Sequence, residues 1–220
     1  FGRLQKEIEQ LCQSSAPVMI AGEDGAGKES VANKLYMLSD LRHNSFVEIN
    51  CNLLNEKSWL FLLEHHNSPL AGEKNTICLR NVDALPPERL QQLMASCAEM
   101  DVCQRNRVLF TCISPPGKSI SDCGAQILNH LGCRLLYLEP LRKSADRIPM
   151  LINLTLSHLN MDRPTPLMGA EPLAVSLLQT YPWPYNYTQF RRVIEELAAI
   201  SGGPLITAAD VNRVLRKEYH

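Results

Sequence analysis

Three glycines and a lysine, set between an apolar run and a helical pattern, are the residues best placed to do chemistry. Gly22, Gly25, Gly27 and Lys28 fit the spacing G-x-x-x-x-G-K directly after the run "PVMIA". Glycines let backbone N–H groups turn inward around an anion, the following helix N-terminus adds the positive end of its dipole, and a lysine neutralises outer phosphates. The spacing therefore predicts a phosphate-binding loop. Its residues are Gly22, Glu23, Asp24, Gly25, Ala26, Gly27, Lys28, Glu29 and Ser30.

A glycine-rich turn that binds nothing is the alternative interpretation of this loop. Ser or Thr usually follows the lysine and contacts magnesium, whereas Glu29 stands there and Ser30 comes one position late.

The elements that must position the loop are short β-rich apolar runs that alternate with amphipathic helical patterns. Strands are predicted at residues 17–21, 45–50, 76–80, 107–113 and 134–138. Helices are predicted at residues 1–13, 28–38, 55–64, 87–99 and 122–131. This alternation predicts an α/β domain over residues 1–141, with a parallel five-stranded sheet and helices on both faces.

The character of the chain changes after residue 141, because strand-like runs stop and helical patterns continue. Helices are predicted at residues 145–159, 171–180, 187–200 and 207–217, which gives a small all-helical domain over residues 142–220. Trp183 is expected to anchor its core. Arg191 and Arg192 are expected to pair with Glu195 and Glu196 one turn further along the same helix.

Composition limits the partners of this chain. Its 220 residues carry 22 Lys and Arg against 23 Asp and Glu, so it lacks the basic excess that drives binding to nucleic-acid backbones. No apolar run approaches the about 18 residues of a membrane span, so no membrane partner is expected. The eight cysteines include no C-x-x-C pair and favour buried thiols in a cytoplasmic protein, with disulfides or a metal site as the alternative. Since the chain starts abruptly without Met, we expect it to be a domain of a longer protein.

Several stretches resemble one family in the right order. "AGEDGAGKES", "FVEINC", "TICLRNVDALPPERL", "LEPLRKSADRIPMLI" and "YPWPYNYTQFRRVIEEL" resemble the central AAA+ domain of bacterial sigma-54-dependent enhancer-binding proteins. That family itself places Glu after the lysine, which accounts for Glu29. The resemblance implies an AAA+ P-loop NTPase fold with a C-terminal helical lid, self-association through the AAA+ faces, and RNA polymerase as a partner. It also implies a regulatory domain, as in response regulators, and a DNA-binding helix-turn-helix domain outside this chain.

The acidic positions of the family are changed in this chain. Where the resemblance implies an Asp that positions magnesium and a Glu that activates water, the sequence has Arg80 and Asn81. Arginine is permanently cationic and cannot bind a metal, and asparagine cannot accept the proton of an attacking water. A shifted alignment that uses Asp83 as the carboxylate is the alternative.

Further positions that the resemblance implies for catalysis also differ. The Asn at the end of the fourth strand falls at Ile113 or Ser114, the trans-acting arginines fall at Gly124 and His130, and the phosphate-sensing lid arginine falls at Thr188. Because phosphoryl transfer needs metal, positioned water and arginine charge together, we expect no ATPase activity, no catalytic residue and no bound metal. Without trans arginines, we expect a dimer or weak oligomer.

The family's sigma-54 contact loop, with its "GAFTGA" motif, belongs where this chain has only "EHHNSPLAGEKN", residues 64–75. This segment lacks a Phe and the length of a protruding loop. The resemblance then indicates a family member that does not remodel the sigma-54 polymerase and acts with the housekeeping polymerase or by repression.

Arg80 leaves two interpretations of the phosphate loop open. Its guanidinium could take the place of magnesium and bind phosphate, or it could pair with Asp24 or Glu29 and close an empty site. Accordingly the ligand could be ATP or ADP without magnesium, a cyclic dinucleotide by analogy with divergent relatives, or nothing. Two functions follow: a non-hydrolysing regulatory module of a transcription factor, or a divergent but active ATPase that remodels RNA polymerase.

Overall fold

The structure is a computed structural model that describes residues 2–219. Phe1 and His220, the outermost residues of the two predicted domains, lie outside the described residues. The chain forms two compact units, one with residues 2–23 and 27–138 and one with Asp24–Ala26 and residues 139–219. The first unit ends at Leu138, three residues before the boundary predicted after residue 141. The sequence did not predict that Asp24–Ala26 group with the second unit.

The first unit contains a five-stranded sheet in which every neighbouring pair is parallel. The strands are β1 (Val18–Gly22), β2 (Phe46–Asn50), β3 (Thr76–Arg80), β4 (Arg107–Ile113) and β5 (Arg134–Tyr137). Their order across the sheet is β2-β3-β4-β1-β5. β1 is buried along its whole length, as expected for a parallel strand whose two faces are both covered. The prediction of a parallel five-stranded α/β sheet is confirmed.

Six helices accompany this sheet within the described part of the first unit. They are α1 (Gly2–Cys12), α2 (Lys28–Met37), α3 (Glu56–Glu64), α4 (Pro87–Glu99), α5 (Val102–Arg105) and α6 (Asp122–Leu131). The largest core joins Met19 and Phe110 of the sheet to Trp59, Leu93 and Ile127 of α3, α4 and α6. Only the short α5 was missed, because one helical turn leaves no periodic pattern to read.

The second unit consists mainly of four helices, α7 (Ile148–Asn160), α8 (Pro172–Thr180), α9 (Asn186–Ile200) and α10 (Ala208–Glu218). Trp183 is 1% exposed, its Nε1 donates to the Leu178 carbonyl at 2.8 Å, and its ring lies edge-on to Phe190. Trp183 is therefore the predicted core anchor. The prediction that this domain is entirely helical is wrong in one detail, because β6 (Gly169–Ala170) and β7 (Leu205–Ile206) form a small parallel pair.

The predicted charge pairs on α9 are half right. Arg191 pairs with Glu195 at 3.1 Å, as expected for an i,i+4 pair. Arg192 instead donates to both carboxylate oxygens of Glu218 at the end of α10, at 2.6 and 2.9 Å. A helical pattern gives neighbours on the same helix, whereas this pair depends on how α10 packs against α9.

The eight cysteines are all unpaired, and four of them, Cys51, Cys78, Cys97 and Cys112, are buried. Burial raises the pKa of the Cys51 and Cys78 thiols to about 12. These two side chains therefore stay protonated at neutral pH and behave as small apolar core residues.

Candidate functional site

The predicted phosphate loop connects β1 to α2 and takes a backbone shape that requires glycine. Gly25 has φ +78° and Gly27 has φ +97°, both in the region that other residues rarely adopt. A Cβ added at Gly25 would lie 2.0 Å from the Tyr185 carbonyl oxygen. The spacing of the glycines thus reflects two left-handed positions and one close backbone approach.

Lys28 begins α2 and is held at the base of the loop. Its side chain is 5% exposed, and Nζ donates to the Gly22 carbonyl at 2.8 Å. The same carbonyl accepts the backbone N–H of Ser114 at 3.1 Å. Since an ammonium group has three hydrogens, two remain for an anion next to the α2 N-terminus. Lys28 and the loop backbone therefore fit a phosphate group.

The tip of the loop, which belongs to the second unit, contacts the first turn of α9. The Gly25 carbonyl accepts the backbone N–H groups of Tyr187 at 3.0 Å and Thr188 at 3.4 Å. The Asn186 side-chain amide donates to the Asp24 carbonyl at 3.0 Å. The N-cap residue Tyr185 makes no side-chain cap hydrogen bond, so the Gly25 carbonyl supplies an acceptor for the first N–H groups of α9. Thr188 is exposed and carries no charge for sensing a phosphate.

Arg80, at the end of β3, is held by two carboxylates. Its Nη2 lies 3.2 Å from Oε1 of Glu29, and its Nη1 lies 3.5 Å from Oε2 of Glu48. Arg80 Nε is buried and has no hydrogen-bond partner among the described residues. Of the acids considered from the sequence, the partner is Glu29. Glu48 was missed; the period of two along β2 puts Glu48 and Asn50 on one face, but pairing with β3 is not readable from sequence.

Asn81 follows Arg80 with a left-handed backbone, φ +59°. Its backbone N–H donates to the Thr111 hydroxyl and its side-chain amide donates to Oδ1 of Asn50, both at 2.9 Å. These bonds join the carboxyl ends of β2, β3 and β4. The amide is thus a structural link and offers no carboxylate to a water molecule.

Asp83 lies in the turn after Asn81, where the shifted alignment would use its carboxylate. Oδ2 of Asp83 accepts the backbone N–H of Ile113 at 2.6 Å. Ile113 ends β4 and is 39% exposed, so an apolar side chain stands where the resemblance implies a polar one. The Asp83 carboxylate therefore already accepts a hydrogen bond from the end of β4.

The two positions for trans-acting arginines differ in their surroundings. Gly124 is buried, its backbone N–H donates to the Ser121 hydroxyl at 3.0 Å, and an added Cβ would lie 2.5 Å from Sγ of Cys112. His130 is exposed near the end of α6. Packing therefore excludes a larger side chain at residue 124 without rearrangement of β4 and α6.

The remaining loop residues make no metal site. Glu23 is half-buried, Ala26 is buried and Ser30 is exposed on α2. Within residues 2–219, no group of three or more His, Cys, Asp or Glu side chains could hold a metal ion. Arg80 offers a cation and Asn81 an amide that is bonded to Asn50, so these two residues do not fit magnesium.

The segment between α3 and β3 folds compactly. Ser68 donates from its hydroxyl to the Leu62 carbonyl at 2.5 Å and starts a 3-10 turn at Pro69–Ala71. Leu70 is completely buried in the core. Nothing in the described residues of this segment protrudes as a long apolar loop. In the described part of the chain, no helix is long and apolar enough to cross a membrane.

Comparison with known proteins gives matches along both units. The Sigma-54 interaction domain matches residues 1–66, and the AAA+ ATPase lid domain matches residues 142–220. The chain is 24% identical to the regulatory protein AtoC of Escherichia coli over 96% of its length and 51% of that protein. It is 25% identical to the C4-dicarboxylate transport transcriptional regulatory protein DctD of Rhizobium meliloti over 89% of its length and 48% of that protein. The chain thus spans about half the length of these curated relatives.

Among solved structures, NtrX from Brucella abortus in complex with ATP is similar over 99% of this chain and 58% of that chain, with a TM-score of 0.78 and 19% identity. RuvB from Thermotoga maritima is similar over 98% of this chain and 69% of that chain, with a TM-score of 0.68 and 11% identity. These likenesses concern the fold. The two domain matches and the curated relatives show that the chain resembles the central AAA+ domain of bacterial sigma-54-dependent transcriptional regulators.

Proposed function

We propose that this chain is the regulatory AAA+ domain of a cytoplasmic bacterial transcription factor, which binds nucleotide weakly and without magnesium and does not hydrolyse ATP. The observation that carries the proposal is Arg80, a cation at the end of β3 where the family has a metal-binding acid. Its ion pairs with Glu29 and Glu48 hold that positive charge beside the phosphate loop.

The absence of hydrolysis follows from charge and proton chemistry. A divalent cation next to the Arg80 guanidinium would be repelled, and the Glu29 and Glu48 carboxylates that could bind it already pair with Arg80. Asn81 uses its amide to bind Asn50 and cannot accept a proton from water. Outer-phosphate transfer depends on these groups together, so the loss of both leaves no hydrolytic machinery.

Weak nucleotide binding is supported by the part of the site that is intact. The left-handed glycines and the two free hydrogens of Lys28 suit a phosphate group at the N-terminus of α2. Such a ligand would supply negative charge beside Lys28 and Arg80, and these two cations would orient it. ATP and ADP are the first ligands to test, and a cyclic dinucleotide follows by analogy with divergent relatives.

The compact segment between α3 and β3 supports a mode of action without sigma-54. With Leu70 buried and Ser68 fixing the turn, this segment is a short, compact turn that is poorly suited to insertion into a polymerase. We propose that the domain acts through ligand sensing and subunit contacts, as a dimer or weak oligomer. Contact with RNA polymerase remains part of the proposal, and DNA binding is assigned to a helix-turn-helix domain outside this chain.

The deciding experiment is phosphate release by the purified domain with ATP and magnesium. We expect release at background, equal in wild type and Lys28→Ala. The competing function is a divergent, active ATPase, which the similarity to sigma-54-dependent regulators favours. ATP turnover by wild type that disappears in Lys28→Ala would show that the domain is an active ATPase and would refute our proposal.

A further inference from the structure

A cleft lined mainly by polar residues lies in the first unit, at the end of the sheet opposite the phosphate loop. It has a volume of about 270 Å³ and lies where β3 and β4 begin, beside the end of α1 and the turn after α2. Its charged lining residues are Asp40, Lys74, Arg105 and Arg107. The lining thus has three cations and one carboxylate. The cleft volume is close to the smallest volumes of small-molecule sites, about 300 Å³.

Arg107 is the buried cation of this cleft. It is 7% exposed, and its guanidinium donates to the carbonyls of Leu11, at 2.5 Å, and Ser14 near the end of α1. Its Nε is buried and finds no hydrogen-bond partner in the part of the chain that the structure describes. Within residues 2–219 no carboxylate lies within ion-pairing distance of Arg107, although an uncompensated buried charge is destabilising. The carbonyls at the helix C-terminus offset part of this cost and leave the positive charge unneutralised.

The other two cations also lack carboxylate partners among the described residues. Arg105 donates to the Ala71 carbonyl at 2.7 Å and the Met100 carbonyl at 3.3 Å, and Lys74 forms no ion pair. Asp40 is exposed and pairs with none of them within ion-pairing distance. Even with Asp40 counted against one cation, the cleft keeps an excess of positive charge around a buried guanidinium.

We propose that this cleft is an anion site that takes a phosphate group, from inorganic phosphate or a small phosphate ester. A phosphate oxygen accepts several hydrogen bonds at once, and guanidinium and ammonium groups are the donors that bind it most strongly. The site is independent of the phosphate loop, because the two lie at opposite ends of β1 and share no residue.

The test is calorimetric titration of the whole chain with inorganic phosphate in a Lys28→Ala background, which removes the main cation of the phosphate loop. We expect Lys28→Ala to lose phosphate binding at the loop and to keep one phosphate site, the cleft. Adding Lys74→Asn and Arg105→Gln should weaken binding there about tenfold or more, because two charged donors are lost. Asparagine suits residue 74, whose φ is +58°.

A charge-matched control removes two exposed, paired cations instead, by Lys118→Asn and Arg191→Gln in the same background. Arg107→Lys, which keeps a donor for the α1 carbonyls, should also weaken binding; circular dichroism would verify its fold. Titration with glycerol 3-phosphate separates the sources, since tighter binding than inorganic phosphate identifies an ester and weaker binding identifies the free ion. No phosphate binding by Lys28→Ala at millimolar concentration, or equal affinity of the cleft and control variants, would overturn the proposal.

Discussion

Substitution of Arg80 by alanine decides whether its guanidinium serves a ligand or only closes the loop. The two ion pairs are partly exposed, with side-chain exposures of 44% for Glu29 and 40% for Glu48. Pairs of this kind contribute about 0.2–1 kcal/mol each. A charged hydrogen bond from Arg80 to a phosphate contributes about 1.5–3 kcal/mol. Arg80 should therefore bind the phosphate in preference to Glu29, with a net gain of about 0.5–2.8 kcal/mol.

The expected result is weaker nucleotide binding by Arg80→Ala, by about 2- to 100-fold. The assay is titration of wild type and variant with ATP and ADP, each with magnesium and with excess chelator. Wild-type affinity should not change with chelator, because Arg80 and not a metal meets the phosphates. Arg191→Ala, which removes an exposed arginine paired with Glu195, controls for net charge.

Affinity that is unchanged or improved in Arg80→Ala would refute this reasoning. Such a result would mean that Glu29 and Glu48 retain the guanidinium and that the loop is closed in the wild type. Undetectable binding of any nucleotide at millimolar concentration would have the same meaning. The loop would then have only a structural role, as the connection between β1 and α2.

Three further outcomes are expected. Gly124→Ala places a Cβ 2.5 Å from Sγ of Cys112, so urea unfolding should show a loss of about 1–3 kcal/mol; an unchanged midpoint would contradict the packing argument. The hydrogen bond from Arg192 lowers the pKa of Glu218 below its ordinary value of 4.5, so its stabilisation is present above that pH and is lost as pH falls through the lowered pKa. Glu218→Gln should therefore unfold more easily at neutral pH, by about 1 kcal/mol, and match wild type in strong acid, whereas a difference that persists in acid would count against the pair. With Gly124 and His130 at the trans-arginine positions, light scattering should find monomers or dimers with or without ATP, and a nucleotide-dependent hexamer would contradict weak assembly.

Much of the fold was predictable because buried parallel strands and amphipathic helices leave strong local patterns. β3 was predicted at the bounds that it has, Thr76–Arg80, since its apolar run is flanked by turn residues. Helix α4 was equally clear, because Pro87 opens it and apolar residues recur at helical spacing. The two-residue strands β6 and β7 could not be predicted, since no periodicity exists over that length.

The sequence by itself determined which chemical groups are available: the glycines that permit left-handed backbone at Gly25 and Gly27, the ammonium of Lys28, and a cation and an amide at residues 80 and 81. Residue type sets what a side chain can donate, accept or bind, and that does not depend on folding.

Only the tertiary structure decided which groups meet. Arg80 reaches Glu48 because β2 and β3 pair in a particular register, and Arg192 reaches Glu218 because α10 packs against α9. The unpaired charge of Arg107 likewise depends on the end of α1 lying over the start of β4. Such contacts join residues far apart in the chain, and sheet register and helix packing bring them together through the summed burial of many side chains. A local sequence pattern therefore cannot predict these contacts.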